Sequence, residues 1–82
     1  MSLPHLRQQI DQLDREIIER IAKRLALAQQ TTSLKSSVYD AKREEELKTL
    51  WRTEAQKHSL NPEPCLAILQ ILIDEAARLQ NS

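Results

Sequence analysis

The stretch LRQQIDQLDREIIERIAKR, residues 6–24, predicts the fold class of this chain. Its apolar residues recur three or four positions apart, the spacing that places side chains on one face of an amphipathic helix. The chain contains no glycine, and no proline occurs between Pro4 and Pro62. Because nothing in that span forbids a helix on backbone grounds, we predict one long first helix from Pro4 to about Lys35. The apolar positions that mark it are Leu6, Ile10, Leu13, Ile17 and Ile21.

Two shorter helices should follow the first. Asp40 is a suitable N-cap for the second helix, and Asn61 is a suitable N-cap for the third, with Pro62 as its first residue. No segment has the alternating pattern of a strand. We therefore predict an all-α chain of three helices that forms a single domain over residues 1–82. The positions expected to be buried are Leu47, Leu50, Trp51 and Ala55 in the second helix and Cys65, Leu69, Leu72, Ala76 and Leu79 in the third.

The composition argues against several classes of partner and location. Lys and Arg together number 12, as do Asp and Glu, so no net charge would attract nucleic acid or an anionic membrane. The single cysteine, Cys65, cannot form an internal disulfide, which favours a reducing compartment. The N-terminal residues MSLPHLRQQIDQLD contain no apolar core segment, which argues against a signal peptide or a membrane span. We expect a soluble cytoplasmic protein.

The length of the first helix predicts an oligomer. A helix from Pro4 to Lys35 would be roughly 45–50 Å long at ~1.5 Å per residue, whereas a monomer of this size should be about 30 Å across. Its apolar face would extend beyond its own globule and would need a second chain to cover it. A break near Thr31, Thr32 and Ser33 is the alternative, but it would shorten the helix by only about one turn. We predict an intertwined homodimer with long helices that cross between subunits.

Two cations lie on the apolar face of the first helix. Arg24 is seven positions from Ile17, and Lys35 is eleven positions from Arg24, so all three face the same way. Neither cation has an acidic neighbour three or four positions away in the sequence. A cation directed towards the core is costly unless an anion neutralises it. The alternative is that both side chains extend to water or pair across the dimer.

The other helices contribute further candidates. Glu44 shares a face of the second helix with Leu47 and Trp51, so it should point inward; an exposed ion pair with Lys48 is the alternative. Gln80 follows Ala76 by one helical turn on the buried side of the third helix. His5, His58 and Cys65 do not cluster at the spacing of a metal or nucleophile site. We therefore predict no metal and no cofactor.

Several of these elements, taken together and in order, resemble the all-helical AroQ-type chorismate mutases. The pattern LRxxIDxLDxxIIxxIAxR opens the chain at Leu6, and LxILIDEA occurs in the third helix. The resemblance runs from about Leu6 to Gln80. The elements that carry it are Arg7, Arg24, Lys35, the D-x-x-R-E motif of Asp40, Arg43 and Glu44, and Gln80.

The resemblance implies an intertwined homodimer with two equivalent sites for chorismate, a dianion. Chorismate would rearrange to prephenate in an intramolecular pericyclic step of phenylalanine and tyrosine biosynthesis, with no cofactor. Arg24 and Arg7 of the partner subunit would hold the two carboxylates, and Arg43 would support them. An arginine suits this role because its planar fork matches a carboxylate.

The resemblance also implies which residues would promote the reaction. Lys35 and Gln80 would donate hydrogen bonds to the breaking ether oxygen, where negative charge develops. Glu44 would accept a hydrogen bond from the ring hydroxyl, and the backbone near Asp40 would lie close to it. These roles require positioning and charge stabilisation, not a nucleophile.

The chain departs from the family pattern in two places. The family usually has a serine four residues before the glutamine, where it contacts a substrate carboxylate, and this chain has Ala76. The segment from Lys35 to Asp40 is also about one helical turn shorter than usual. We expect weaker substrate binding and a tight connection before the second helix.

Three other functions remain open from the sequence. Isochorismate-pyruvate lyases share the scaffold, but that branch tends to lack the inward carboxylate that Glu44 supplies. A 4-amino-4-deoxychorismate mutase is a second relative of the same type. A non-catalytic helical dimerisation or regulatory module belongs to a different class, and its basic residues would be paired with acids.

Overall fold

A computed structural model describes residues 1–34 and 40–80 of the chain. Helix α1 spans Leu3–Gln30, α2 spans Ala41–Lys57 and α3 spans Pro62–Gln80. A short 3-10 helix, Thr31–Leu34, follows α1 directly. Within the described residues there is no strand, so the all-α prediction with three main helices is confirmed.

The starts of α2 and α3 agree with the predicted N-caps. The carboxylate of Asp40 accepts a hydrogen bond from the backbone N–H of Arg43 at 3.1 Å. The side-chain oxygen of Asn61 accepts one from the backbone N–H of Glu63 at 3.1 Å. These bonds satisfy N–H groups that have no partner within the first turn of a helix.

The end of α1 differs from the prediction, since the α-helix ends at Gln30 and not near Lys35. The hydroxyl of Thr31 donates to the carbonyl of Ala28 at 2.7 Å, and that of Ser33 donates to the carbonyl of Gln30 at 3.4 Å. Hydroxyl side chains that bond nearby carbonyls compete with the α-helical pattern, which explains the change to a 3-10 helix here. The 28 residues of α1 are nevertheless about 42 Å long.

The core of the chain lies in the hairpin of α2 and α3. The buried apolar residues are Ala55, Leu69, Leu72 and Ala76, and α1 contributes none. Trp51 and Leu79 are half-buried, as are Leu47 and Cys65. The prediction for Leu50 was wrong, because this side chain is 50% exposed at the edge of a cavity between the helices.

The turn between α2 and α3 is a Schellman motif. The N–H of Leu60 donates to the carbonyl of Ala55 at 2.8 Å, and the N–H of Ser59 donates to that of Gln56 at 3.1 Å. Ser59 has φ = 57°, the left-handed conformation that this motif requires and that glycine adopts most easily. The motif reverses the chain, so that α3 packs antiparallel against α2.

Helix α1 packs mainly against α3, through its C-terminal part. Its half-buried residues are Ile21, Arg24, Leu25 and Ala28. The N-terminal part extends away from the hairpin, and the chain is 52 Å long in its longest dimension. The described part of the chain contains no helix with the length and apolarity needed to span a membrane. The large apolar side chains exposed on the N-terminal part are Leu3, Leu6, Ile10, Leu13, Ile17 and Ile18.

Candidate functional site

A cavity of about 790 Å³ lies between the C-terminal part of α1, the first turns of α2 and the C-terminal half of α3. Its walls bring together six of the eight side chains that the sequence singled out. Leu27 and Leu50 add apolar surface to it, as does Trp51. The six predicted residues that line it are Arg24, Asp40, Arg43, Glu44, Ala76 and Gln80.

Arg24 is the cation that α1 directs into this cavity. Its side chain is half-buried, and it forms no ion pair within residues 1–34 and 40–80. Burial lowers the pKa of Arg24, and the positive charge of Arg43 lowers it further. Both effects disfavour the charged form, so an anion bound beside Arg24 would stabilise its guanidinium.

Arg43 lies in the first turn of α2, where its backbone and side chain have different partners. Its backbone N–H bonds to the N-cap Asp40, and its guanidinium is 3.7 Å from the carboxylate of Glu46. Both Arg43 and Glu46 are more than half exposed at the side chain. The guanidinium is thus at the rim of the cavity, and it is close enough to Arg24 for its positive charge to lower the pKa of Arg24.

Glu44 is half-buried and lines the cavity from α2. The expected alternative, an ion pair with Lys48, does not occur. Lys48 instead bonds to Glu45 at 3.3 Å, and Glu44 has no ion pair in the part of the chain that the structure describes. Its carboxylate is therefore available as an acceptor for a ligand hydroxyl.

Gln80 connects the end of α3 to the end of α1. Its side-chain nitrogen donates to the carbonyl of Ala28 at 2.9 Å, a contact between residues 52 positions apart. Its side-chain oxygen is buried without a hydrogen-bond partner. The amide nitrogen carries two N–H groups, so one remains for a ligand in the cavity.

Two polar residues of the cavity wall were missed from the sequence. Asp74 and Gln70 both line the cavity, and the amide of Gln70 donates to the carboxylate of Asp74 at 2.9 Å. The signal in the sequence was weak, because a polar pair four positions apart is common on a solvated helix and α3 carries other charged residues. Trp51 had been predicted only as a core residue, yet it also lines the cavity.

The remaining two predicted residues are not placed in the cavity. Lys35 lies outside the described residues, as does most of the short connection to Asp40. Arg7 is exposed on the extended part of α1 and does not line the cavity. It is 17 positions, or roughly 25 Å along the helix, from Arg24, so one small ligand cannot contact both within a chain.

The described part of the cavity has a definite chemical character. Two guanidiniums, those of Arg24 and Arg43, share it with the carboxylates of Asp40, Glu44 and Asp74. Within residues 1–34 and 40–80, no group of three or more His, Cys, Asp or Glu side chains is arranged to hold a metal ion. Guanidiniums bind carboxylates, and free carboxylates accept from hydroxyls. The arrangement suits a small anion that also carries a hydroxyl group.

Comparison with protein families agrees with this chemistry. Residues 6–81 match the family model described as chorismate mutase type II, which covers nearly the whole chain and supports chorismate mutase-type activity in general. Comparison with curated proteins and with solved structures gives no match. The three-helix fold and the family match lead to the same conclusion: the chain belongs to the chorismate mutase type II family.

Proposed function

We propose that this protein is a chorismate mutase, an isomerase that converts chorismate to prephenate in the biosynthesis of phenylalanine and tyrosine. The observation that carries the proposal is Arg24, a half-buried guanidinium in a cavity with no ion pair among the described residues. A carboxylate of the substrate would supply the charge that this cation lacks. Family membership supports the same class of activity.

Binding of the substrate is assigned to the cations around the cavity. Arg24 holds one carboxylate, and Arg43 at the rim supports it. Glu44 accepts a hydrogen bond from the ring hydroxyl, with the N-terminal turn at Asp40 beside it. Ala76, which stands where the family usually has a serine, offers only a methyl group at the wall. Together these groups hold the substrate in the compact conformation that a pericyclic rearrangement needs.

Acceleration of the reaction is assigned to donors at the breaking ether oxygen. Gln80 is held against α1 by one N–H, and its other N–H would donate to this oxygen. Lys35 would supply a second, charged donor. Donors that are fixed before the reaction stabilise developing charge without reorganisation, and this is the main catalytic effect available to a site of this kind.

The working form is proposed to be a homodimer. The N-terminal part of α1 exposes a row of Leu and Ile side chains, and Leu13 and Ile17 at its centre are 58% and 54% exposed. Burial of this row against a second copy would gain about 25 cal/mol per Å² of apolar surface. The same docking would carry Arg7 into the partner's cavity, where it would hold the second carboxylate. A cytoplasmic location is supported by the single cysteine, Cys65.

The proposal is tested by product analysis. The purified protein is incubated with chorismate and, separately, with isochorismate, and the products are identified by chromatography and mass spectrometry. Prephenate from chorismate is the expected result. Salicylate and pyruvate from isochorismate would instead identify the protein as an isochorismate-pyruvate lyase. If the folded dimer converts neither substrate, the remaining interpretation is a non-catalytic dimerisation or regulatory module.

Glu44 favours the mutase over the lyase. Its half-buried carboxylate faces the cavity without an ion pair among the described residues, ready for the ring hydroxyl of chorismate. It could equally accept from the amino group of 4-amino-4-deoxychorismate, so this compound belongs in the same assay. The unpaired Arg24 argues against the non-catalytic module, in which the basic residues should be neutralised by acids.

The assignment of Lys35 is tested separately. Lys35→Ala is expected to lower kcat for chorismate by about a hundredfold or more, the usual cost of removing one such donor. Lys42→Ala, an exposed lysine near the start of α2, is the control and should leave kcat unchanged. Equal kcat values for the two variants would show that the catalytic assignment of Lys35 is wrong.

The contribution of Arg7 across the dimer is tested by mixing two inactive variants. Arg7→Ala and Arg24→Ala should each be inactive alone, because each lacks a carboxylate-binding residue in both sites. Heterodimers formed by unfolding and refolding the mixture would contain one intact site, so roughly a quarter of the wild-type activity should return. Two inactive variants that give no recovery would mean that Arg7 and Arg24 serve the site of the same chain, whereas an Arg7→Ala variant that is active alone would mean that Arg7 lies outside the site.

A further inference from the structure

Two acidic residues near the start of α2, Glu45 and Glu46, have different cationic partners. Glu45 and Glu46 are adjacent, both are exposed, and each bonds to a cation three positions away on α2. Glu45 bonds to Lys48, which does not line the cavity, whereas Glu46 bonds to Arg43, which does. Only Glu46 is therefore connected to the site.

Arg43 has more than one possible acidic partner. The carboxylates of Asp40 and Glu44 line the cavity near it and form no ion pair within the described residues. If the guanidinium turned towards them, the cavity would contain an internal ion pair, which a dianionic substrate would have to break before it bound. Glu46 offers Arg43 a partner outside the cavity, at 3.7 Å from one terminal nitrogen. The remaining N–H groups of the guanidinium stay available for a substrate carboxylate.

We propose that Glu46 is a positioning residue for Arg43, which keeps the guanidinium at the rim of the cavity and away from Asp40 and Glu44. This inference rests on the proposed function, because it assigns Arg43 to substrate binding. Glu46 itself would not contact the substrate; it would fix the position of the Arg43 guanidinium before the substrate binds. Arg24 contributes to the same outcome, since its like charge repels Arg43 from the interior.

The two acids make a matched experiment because they are adjacent, exposed and each paired with one cation, but only Glu46 is paired with a residue that lines the cavity. Glu46→Gln and Glu45→Gln each remove one negative charge from the same turn of α2. Loss of charge alone should help an anion to bind, and it should do so in both variants. Loss of the ion pair with Arg43 should weaken substrate binding, and this loss occurs only in Glu46→Gln.

Steady-state kinetics with chorismate give the first measurement. For Glu46→Gln we expect KM to rise about two- to fivefold, the range that an exposed ion pair can contribute. The value of kcat should stay within about twofold of the wild type, because a carboxylate held equally in ground and transition state affects KM alone. Glu45→Gln should leave KM unchanged or lower it, and Glu46→Asp should restore part of the loss.

Equilibrium binding of prephenate gives a readout that does not depend on turnover. Trp51 is the only tryptophan of the chain and lines the cavity, so its fluorescence should report the ligand. The Kd for prephenate should rise about two- to fivefold in Glu46→Gln, in parallel with KM. In the Arg43→Ala background, Glu46→Gln should not weaken prephenate binding further and should behave like Glu45→Gln, since the group that Glu46 positions is gone.

The possible failures are separate from one another. If the wild type neither converts chorismate nor binds prephenate, the proposed function is wrong, and so is the positioning role of Glu46 that depends on it. If the wild type is active but Glu46→Gln behaves like Glu45→Gln, only the positioning role is wrong. The positioning role is also wrong if Glu46→Gln keeps its full effect in the absence of the Arg43 side chain. Circular dichroism and thermal unfolding confirm that each variant is folded.

Discussion

Helix α1 and the hairpin of α2 and α3 are stabilised in different ways. The hairpin contains all four buried apolar residues of the described chain, and Leu69 at its centre is only 1% exposed. Helix α1 is longer than either helix of the hairpin, yet none of its residues is buried. Both have amphipathic sequences, so the difference lies in what each apolar face contacts.

This difference indicates a division of roles. The hairpin is held by contacts within the chain, while α1 offers its C-terminal part to α3 and exposes the rest. The candidate site lies where the two regions meet, with Arg24 from α1 facing Glu44 and Gln80 from the hairpin. Stability and activity should therefore respond differently to changes in the two regions.

The largest expected effect is on the stability of the hairpin. Leu69→Ala should lower the free energy of unfolding by about 2–5 kcal/mol, because it leaves a cavity in the core. Leu13→Ala, on the exposed face of α1, should cost less than about 1 kcal/mol under dilute conditions where the chain is monomeric. Urea unfolding at several protein concentrations measures both. A loss for Leu13→Ala that matches Leu69→Ala in the monomer would contradict the comparison.

A smaller effect is expected for Arg24 of α1, and this effect should be on activity rather than on stability. Arg24→Ala should lower kcat/KM for chorismate by about a hundredfold or more, since a charge-assisted contact is lost. The free energy of unfolding should not fall by more than about 0.5 kcal/mol, because the removed guanidinium is desolvated and close to Arg43. Arg20→Ala, one turn away and exposed, should retain activity. Unfolding of Arg24→Ala at a markedly lower urea concentration would show that Arg24 is structural.

The next effect concerns substrate binding at the part of the cavity wall formed by α3, and it should equal the contribution of about one hydrogen bond. Ala76→Ser should lower KM for chorismate by up to about tenfold, because the hydroxyl can donate to a substrate carboxylate. Ala67→Ser, on the exposed side of the same helix, is the control. An unchanged or higher KM for Ala76→Ser would mean that the substrate does not reach this wall.

The smallest effect is expected at the turn of the hairpin. Ser59→Gly should raise the free energy of unfolding by about 0.5–1 kcal/mol, because glycine adopts the left-handed conformation at lower cost. Ser59→Ala keeps the cost of the Cβ atom and should give no gain. Neither variant should alter kcat or KM, since the turn lies at the opposite end of α2 from Asp40 and Glu44. Equal stability of the two variants would show that φ at Ser59 is not a source of strain.

Much of the secondary structure followed from local patterns. The N-caps Asp40 and Asn61 were predicted because their side chains can bond to N–H groups two or three residues ahead, and such bonds need no tertiary context. The end of α1 was not predicted correctly. Apolar spacing continued past Gln30, but the hydroxyls of Thr31 and Ser33 bond to nearby carbonyls and favour a 3-10 helix.

The composition of the site was predicted less completely than the helices. Arg24 and Glu44 stood out because a charge on an apolar face is costly and therefore informative. Asp74 and Gln70 did not, because a paired polar group beside an apolar face is common on a solvated helix. Only the position of α3 beside α1 makes them part of the cavity wall.

The sequence by itself determined which segments are helical, where two of them begin and which face of each is apolar, because these depend on contacts between residues within one or two turns. The tertiary structure decided that Gln80 reaches Ala28 across 52 residues, that Leu50 lies at a cavity edge, and that Arg24, Arg43 and Glu44 line one cavity. Those outcomes depend on how the helices pack against one another, and helix packing is set by the shapes of whole surfaces, which no local pattern specifies.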